Sequence, residues 1–265
     1  MICLVYRDKW LARPDKNHHT TSRKLGIMKT PIPDSVLLAR LPFAPMYKFW
    51  ILAIGAAIAF QVKADEVALI AKLAPNIRPS VIEEAVGAMK CAQSQGIGAN
   101  AGRLAIIDYT IPSRKQRLWV VDLKAQKLLF KEHVAHGQKS GHDIPTAFSD
   151  RNGSHQTSLG LFYTDTTYQG GNGYSLKLHG LSKGFNQSAM RRQIVMHGAA
   201  YVDPHAAVSM GRLGRSWGCP AVRVEIANAM IDALKGGNFI YSHGPGTLTL
   251  SQCAGQSLTL ASLAD

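Results

Sequence analysis

The sequence has little that would hold the protein in a membrane. Its apolar run Phe49–Phe60 is twelve residues long, whereas a helix that spans a bilayer needs about 20. Lys48 precedes this run, and Val62-Lys63-Ala64 places small residues at positions −3 and −1 of a cleavage site before Asp65. This layout predicts a secretory signal peptide over residues 46–64, with an N-terminal membrane anchor as the alternative.

Residues 1–45 lack a periodic pattern of apolar residues and contain five prolines. Because signal peptides lie at true N-termini, the sequence predicts that translation starts at Met46. Residues 1–45 are then an upstream extension, disordered if it is made. Contact with a membrane is expected only through the signal segment before cleavage, and the predicted location is the periplasm or cell envelope.

The chain also lacks the basic clusters with interleaved aromatic residues that are typical of nucleic-acid-binding proteins. The formal net charge is +13, but residues 1–64 hold 10 Lys and Arg against 3 Asp and Glu. The remaining 201 residues hold 20 against 14. This distribution argues against a nucleic-acid partner, whereas a mildly basic body suits an anionic polymer.

Cysteine is scarce, with four in the chain. Cys3 falls in the predicted extension, which leaves Cys91, Cys219 and Cys253 in an exported protein. An odd number of cysteines in an oxidising compartment leaves one free thiol or one partner outside the chain. We expect any disulfide to join Cys91 to Cys253 and to leave Cys219 free.

A metal site is not expected. His133 and His136 have a spacing that resembles a pair of ligands, but an i, i+3 pair on a strand points to opposite faces. No cluster of Cys or carboxylate residues completes a site around them. The sequence therefore predicts neither a metal nor another cofactor.

The pattern of the chain from residue 65 onward changes from helical to β-rich. Residues 67–95 have helical periodicity, with Pro79 early and Ser80 and Glu83 as a capping box. Short β-rich runs separated by turns follow, at Leu104–Tyr109, Leu118–Leu123, Leu128–Val134, Leu159–Tyr163, Ser175–Leu178, Gln193–Met196 and Phe239–Tyr241. A further helix is predicted over Val224–Leu234.

These elements predict a mostly β fold, a β-sandwich or barrel with short helices, preceded by a helical N-terminal segment. The predicted domain organisation is a helical segment over 65–100, a catalytic domain over 101–250 and a tail over 251–265. We expect a monomer.

Cys219 and His197 are the candidate catalytic pair. A thiol with a free pKa near 8.5 needs a base or a positive neighbour to act as a nucleophile at neutral pH. His197 ends an apolar run, and Arg215 adds positive charge near the cysteine. Gly218 carries no side chain, so the backbone N–H groups of Gly218 and Cys219 can approach a substrate oxyanion. A structural cysteine beside a strand-end histidine is the alternative.

His197-Gly198 followed by Ser216-Trp217-Gly218-Cys219 resembles the signature of the murein L,D-transpeptidase catalytic domain family, in the variant in which proline follows the cysteine. The resemblance covers nearly all of residues 103–245. It rests on seven segments in the family's order, LAIIDYTIPSRKQRLWVVDL, VAHGQKSG, SHQTSLGLFYT, YQGGNGYSLKLHGL, RRQIVMHGAAYV, GRLGRSWGCPAV and KGGNFIYSHGP.

The resemblance implies a β-rich L,D-transpeptidase fold with Cys219 as nucleophile and His197 as general base. It also implies that a backbone carbonyl orients the histidine, and its expected place is near Ser216. His179, which also ends a β-rich run, is the rival base, but it lacks the family's spacing to Ser216.

The residues that bind substrate are less clearly indicated. The better-known branch of the family has an arginine two residues after the cysteine, where this chain has Ala221; Arg215 or Arg223 is the candidate replacement. Trp217, Tyr174 and Tyr168 are candidate aromatic walls of the substrate cleft, and His179 is a further candidate. The remaining candidates either line the cleft or fix loops, and they are His136, Ser140, Gly141, Ser154 and Ser158.

The function that the resemblance implies is transfer of an acyl group between peptidoglycan stem peptides. Cys219 attacks the carbonyl of the third residue at its L-centre, D-alanine leaves, and an amine of a second stem resolves the thioester to a 3→3 cross-link. Water as acceptor gives a carboxypeptidase, and a free D-amino acid gives an exchange enzyme. The sequence also leaves open a cysteine-dependent wall hydrolase and a non-catalytic wall-binding module.

Overall fold

A computed structural model describes residues 65–246. Helix α1 covers residues 65–73 and α2 covers Pro79–Ser94. The later elements follow in the order β1 (Arg103–Asp108), β2 (Leu118–Asp122), β3 (Lys127–Glu132), β4 (Gly160–Gly170), β5 (Gly173–Gly180), β6 (Val195–Gly198), α3 (Pro204–Met210), β7 (Ala221–Val222), α4 (Val224–Leu234) and β8 (Phe239–His243). The segments predicted over 1–64 and the tail predicted over 251–265 lie outside the described residues.

The strands form one eight-stranded sheet in the order β3-β2-β1-β8-β4-β5-β6-β7. Only the pairs β1–β8 and β6–β7 are parallel within this sheet. The chain after β3 returns to the opposite edge, where the Ala135 N–H donates to the Ala221 carbonyl at 2.8 Å and Gly137 bridges Ser216. These contacts bring the two edges of the sheet together. With eight strands in one sheet and short helices, the structure confirms the predicted mostly β fold.

The sheet carries an apolar core on each face. Helix α2 buries one stripe of side chains against β1, β4 and β8, and this stripe consists of Val81, Ile82, Ala85, Val86, Met89 and Ala92. On the other face, α4 buries Ala227, Met230, Ile231 and Leu234. Both stripes follow the spacing that places residues on one side of a helix.

The helical predictions were partly right. The helix predicted over Val224–Leu234 has those bounds in the structure, whereas the one predicted over 67–95 is divided into α1 and α2. The predicted capping box is wrong: Arg78 is the N-cap of α2, and no side chain caps this helix. Because Pro79 occupies the first helical position, Ser80 already lies inside the first turn.

Candidate active site

His197 lies on a strand that has neighbours on both sides. It pairs with Ser175 of β5 and, in parallel register, with Ala221 of β7. The backbone at His197 is therefore held by two strands, and the residue is only 4% exposed. Since Cys219 precedes Ala221 by two residues, the chain that carries the cysteine runs alongside the strand that carries the histidine.

The carbonyl oxygen of the next residue determines the tautomer of His197. Its Nδ1 lies 2.9 Å from the carbonyl oxygen of Gly198. A carbonyl can only accept, so Nδ1 carries the proton and Nε2 keeps the lone pair. A backbone carbonyl thus orients the histidine, as expected, but it is that of Gly198 and not one near Ser216. The Ser216 carbonyl accepts from the N–H of Gln138 at 2.7 Å.

Burial lowers the pKa of His197 below its ordinary value, and the hydrogen bond to the Gly198 carbonyl only partly opposes this effect. The imidazole is consequently neutral at pH 7. A neutral ring with a free Nε2 is the form that can take a proton from a thiol.

Cys219 is a free, half-buried thiol. Its Sγ lies 3.7 Å from the carbonyl oxygen of Gln193, and in residues 65–246 no hydrogen bond joins it to His197. Burial raises the pKa of the Cys219 thiol, while a hydrogen bond from the backbone of Val195 and the positive charge of Arg192 act in the opposite direction. At rest, the cysteine is a neutral thiol.

Ser216 holds the turn that presents the cysteine. Its Oγ accepts from the Gly218 N–H at 3.0 Å and donates to the Cys219 carbonyl at 2.7 Å. The Gly218 N–H is therefore engaged and is not free for a substrate oxyanion, contrary to the expectation from the sequence. The Cys219 N–H makes no hydrogen bond within the described part of the chain.

Only glycine fits at position 218. Its φ is +124°, and a Cβ there would come within 2.7 Å of the Gln156 carbonyl oxygen and 3.2 Å of Arg192 Nη2. The missing side chain thus serves the close approach of another loop and of a guanidinium. The sequence-based explanation, an approach of substrate, does not account for these two contacts.

Arg192 is a residue of the site that the sequence did not indicate. Its guanidinium donates to Ser158 Oγ and, at 3.1 Å, to Ser154 Oγ. These two serines, like Ser140, whose Oγ accepts from the Thr157 N–H at 2.8 Å, fix loops. The only signal in the sequence was the pair of arginines that precedes the β6 run.

The two arginines that the sequence offered as replacements for the family's substrate-binding arginine both make hydrogen bonds to other protein groups. Arg215 Nη1 donates to the carbonyls of Gln138 and Gly141, at 3.1 and 2.9 Å. Arg223 forms a two-point ion pair with Glu132, with nitrogen–oxygen distances of 3.1 and 2.7 Å. Because Nε and Nη2 of Arg223 both bind Glu132, Arg223 is unsuited to replace the arginine that the family carries after the cysteine.

Trp217 is an exposed aromatic surface beside the cysteine. The residue is 69% exposed, and its ring stacks on that of His155, with ring centroids 4.7 Å apart and an interplanar angle of 3°. Gln138 Nε2 lies 3.0 Å from His155 Nδ1 and holds that ring in place. One face of the indole is therefore covered by the His155 ring, and the rest of it is exposed to solvent.

Two of the nominated residues lie apart from this arrangement. His179 pairs with Asp165, Nε2 to Oδ2 3.0 Å, and lies four residues beyond Ser175 on β5, roughly 13 Å along the strand. Tyr174 is adjacent to Ser175, so its side chain points to the opposite face from that of His197. The Tyr174 hydroxyl donates to Asp232 of α4 at 2.8 Å.

Arg117, His136 and Tyr109 form a buried polar cluster. Arg117 donates to the Val134 carbonyl and lies 2.8 Å from His136 Nδ1, and its guanidinium stacks 5.0 Å from the Tyr109 ring centroid. Burial lowers the pKa of Arg117 to about 10 and, with the Arg117 charge, that of His136 to about 4. His136 is thus neutral, and its ring is held between Arg117 at Nδ1 and the Gly141 carbonyl oxygen, 3.4 Å from Nε2.

Cys91 of α2 is disulfide-bonded. Its partner lies outside the described residues, so the pairing with Cys253 stays a prediction.

A free cysteine on a segment alongside a histidine is an arrangement that can serve nucleophilic catalysis. The L,D-transpeptidase catalytic domain family matches residues 73–243, well over half of the chain. The chain belongs to this family, which relates it to peptidoglycan. No curated protein sequence matches the chain.

Several solved structures are similar to the chain at low identity. An L,D-transpeptidase from Mycobacterium smegmatis is 15% identical, with 54% of this chain and 59% of that chain covered and a TM-score of 0.33. L,D-transpeptidase 1 of Mycobacterium tuberculosis is 12% identical, with 54% of this chain and 62% of that chain covered and a TM-score of 0.31. The helical cell shape determining protein Pgp2 from Campylobacter jejuni is 10% identical, with 63% of this chain and 59% of that chain covered and a TM-score of 0.37. The chain spans about three fifths of the length of each of these proteins.

Proposed function

We propose that the protein is an exported L,D-transpeptidase that transfers acyl groups between peptidoglycan stem peptides through a thioester at Cys219. The observation that carries this proposal is the neutral His197, with its Nε2 lone pair free, on the strand alongside the chain segment of a free thiol. Family membership supplies the substrate class. The disulfide at Cys91 supports export, because such bonds persist in oxidising compartments.

The reaction begins with general-base catalysis. His197 Nε2 takes the Cys219 proton as Sγ bonds to the carbonyl carbon of the third stem residue, and the Cys219 N–H faces the oxyanion. The carbon–nitrogen bond then breaks, and His197 returns the proton to the amine of the departing D-alanine. An acceptor amine attacks the thioester, the carbon–sulfur bond breaks, and the proton passes through His197 to the thiol.

Exposed groups beside the cysteine are the candidates for substrate contact. The supported indole of Trp217 offers a flat apolar surface of the kind that packs against sugar or peptide groups. Arg215, with no acidic partner in residues 65–246, adds positive charge that favours an anionic stem peptide. His179 and Tyr174, which lie apart, are not proposed to contact substrate.

Incubation of the protein with disaccharide tetrapeptide, followed by mass spectrometry of the products, tests the proposal. A cross-linked dimer that is absent with Cys219→Ala is the expected result. Tripeptide without dimer identifies a carboxypeptidase, a cleaved stem identifies a wall hydrolase, and unchanged substrate identifies a binding module. Each of these three outcomes contradicts transfer as the activity.

A further inference from the structure

Arg192 is the arginine whose charge acts on the Cys219 thiol. Its side chain is 3% exposed, and its acidic neighbour is Asp150, with Nη1 3.8 Å from Oδ1. Burial lowers the pKa of Arg192, whereas Asp150 and Cys219 both act to raise it. Placing a cation in the interior is unfavourable unless it is paired, and the pairing with Asp150 is longer than an ordinary ion-pair hydrogen bond.

Hydrogen bonds to a single loop immobilise this guanidinium. Its Nη1 donates to the Ser149 carbonyl and to Ser158 Oγ, and its Nη2 donates to Ser154 Oγ and to the Gln156 carbonyl at 2.7 Å. All of these acceptors are neutral. They fix the position of the positive charge without cancelling it.

The fixed charge lies against the backbone that presents the cysteine. A Cβ built on Gly218 would be 3.2 Å from Arg192 Nη2, so the guanidinium occupies the space directly beside the residue that precedes the nucleophile. The absence of a side chain at position 218 is what permits this approach.

We propose that Arg192 is the positioning residue that supplies the counter-charge for the Cys219 thiolate while the proton moves to His197. A guanidinium does not titrate in the working range, and its electrostatic effect is stronger in a partly buried site than in water. Because loop 149–158 already holds it, no reorganisation is needed as negative charge develops on Sγ. The inference that this thiolate is catalytic rests on the proposed function; the electrostatic coupling does not.

The proposal predicts shifts of opposite sign at two positions. Removing the Arg192 charge makes thiolate formation harder. Removing the Asp150 charge leaves the guanidinium less compensated and makes thiolate formation easier. A purely structural role of Arg192 predicts no rise of the thiol midpoint for the first change, whereas Asp150, as a nearby negative charge, also acts on the thiolate directly.

The test is the rate of alkylation of Cys219 by iodoacetamide against pH, on the unreduced full chain, with the Cys219 peptide quantified by mass spectrometry. Arg192→Met is expected to raise the midpoint by about one pH unit or more. Arg192→Lys, which keeps the charge, stays close to wild type, and Arg191→Met, at the exposed neighbouring arginine, leaves the midpoint unchanged. Asp150→Asn lowers it.

An unchanged midpoint in folded Arg192→Met overturns the proposal. If Arg192→Met does not fold, as judged by circular dichroism, Arg192→Gln, which removes the charge but keeps an amide donor for the loop, decides: a higher midpoint supports the proposal, and an unchanged or lower one overturns it. Alkylation needs no stem peptide. A protein that shows these shifts but leaves disaccharide tetrapeptide unchanged would refute the proposed function and keep the role of Arg192.

Discussion

His197 and Ala221 are register partners in two parallel strands, β6 and β7. This relationship aligns the segment that ends in Cys219 with the start of β6, where the Val195 backbone reaches the thiol. The site is thus built on the sheet, and the turn formed by Ser216 completes it.

Replacing Cys219 is expected to abolish transfer without unfolding the protein. Cys219→Ala removes one sulfur atom from a half-buried position, so circular dichroism and the melting temperature should stay near wild type. Cys219→Ser should also be inactive, because a hydroxyl with its far higher pKa is a poor substitute for a thiol. A carbapenem should add the mass of one drug molecule to wild type and none to Cys219→Ala; a full adduct on the variant would identify another nucleophile.

The two candidate bases are expected to differ strongly. His197→Ala should lose about a hundredfold to ten-thousandfold in kcat/KM, the usual contribution of a general base. His179→Ala should lose much less, because its ring is paired with Asp165, four residues along β5 from the level of His197. Steady-state kinetics on tetrapeptide measure both, and near-normal turnover by His197→Ala beside an inactive His179→Ala would reverse the assignment.

The acid side of the pH profile is expected to reflect the lowered pKa of His197. The base must be neutral to act, and burial favours the neutral ring, so the ring remains unprotonated at pH values where an ordinary histidine, with a pKa of about 6.5, has begun to protonate. The half-maximal point of kcat/KM on the acid limb should therefore lie below pH 6.5. A half-maximal point above that value would mean that the active base is stabilised in its charged form.

Gly218→Ala is expected to destabilise the fold. Alanine at a φ of +124° costs about 1–3 kcal/mol in backbone strain, and its Cβ would collide with the Gln156 carbonyl. Gly171→Ala in the hairpin between β4 and β5 is the matched control, because a Cβ there meets nothing within 4 Å. Chemical unfolding of both should show the loss at 218 alone; equal stability of the two would contradict the close packing.

Two buried tyrosines provide a test of the core. The Tyr109 hydroxyl has no hydrogen-bond partner in the described chain, whereas the Tyr241 hydroxyl donates to Glu84 at 3.0 Å. Tyr109→Phe should leave the free energy of unfolding unchanged or higher, and Tyr241→Phe should lower it by about 1 kcal/mol. A clear loss for Tyr109→Phe in urea unfolding would show that its hydroxyl has a partner.

Several features of the fold and site were predictable because their signals are local. The periodicity of Val224–Leu234 and the Gly-rich turn before β5 are written in consecutive residues, and α4 and the β4–β5 hairpin formed where they indicated. The family's motif likewise named His197 and Cys219 from short stretches of sequence. These are features in which each residue's neighbours in the chain are also its neighbours in space.

Other elements carried no such signal. Strand β7 has two residues, too few for any alternation to be visible, and it exists because it pairs with β6. Helix α3 was not predicted either, although Asp203 caps it through the His205 N–H. The capping box proposed at Ser80 failed because a proline at the first helical position moved the boundary.

The sequence alone determined the family, the candidate nucleophile with its candidate base, and the positions of most strands along the chain. Tertiary structure decided what surrounds them, because that depends on contacts between residues far apart in the chain. The Ser216 carbonyl turned out to bind Gln138, and Arg223 to bind Glu132, 91 residues away. Arg192, an arginine with no motif around it, reached Gly218 only because the sheet brings the start of β6 beside the turn before β7.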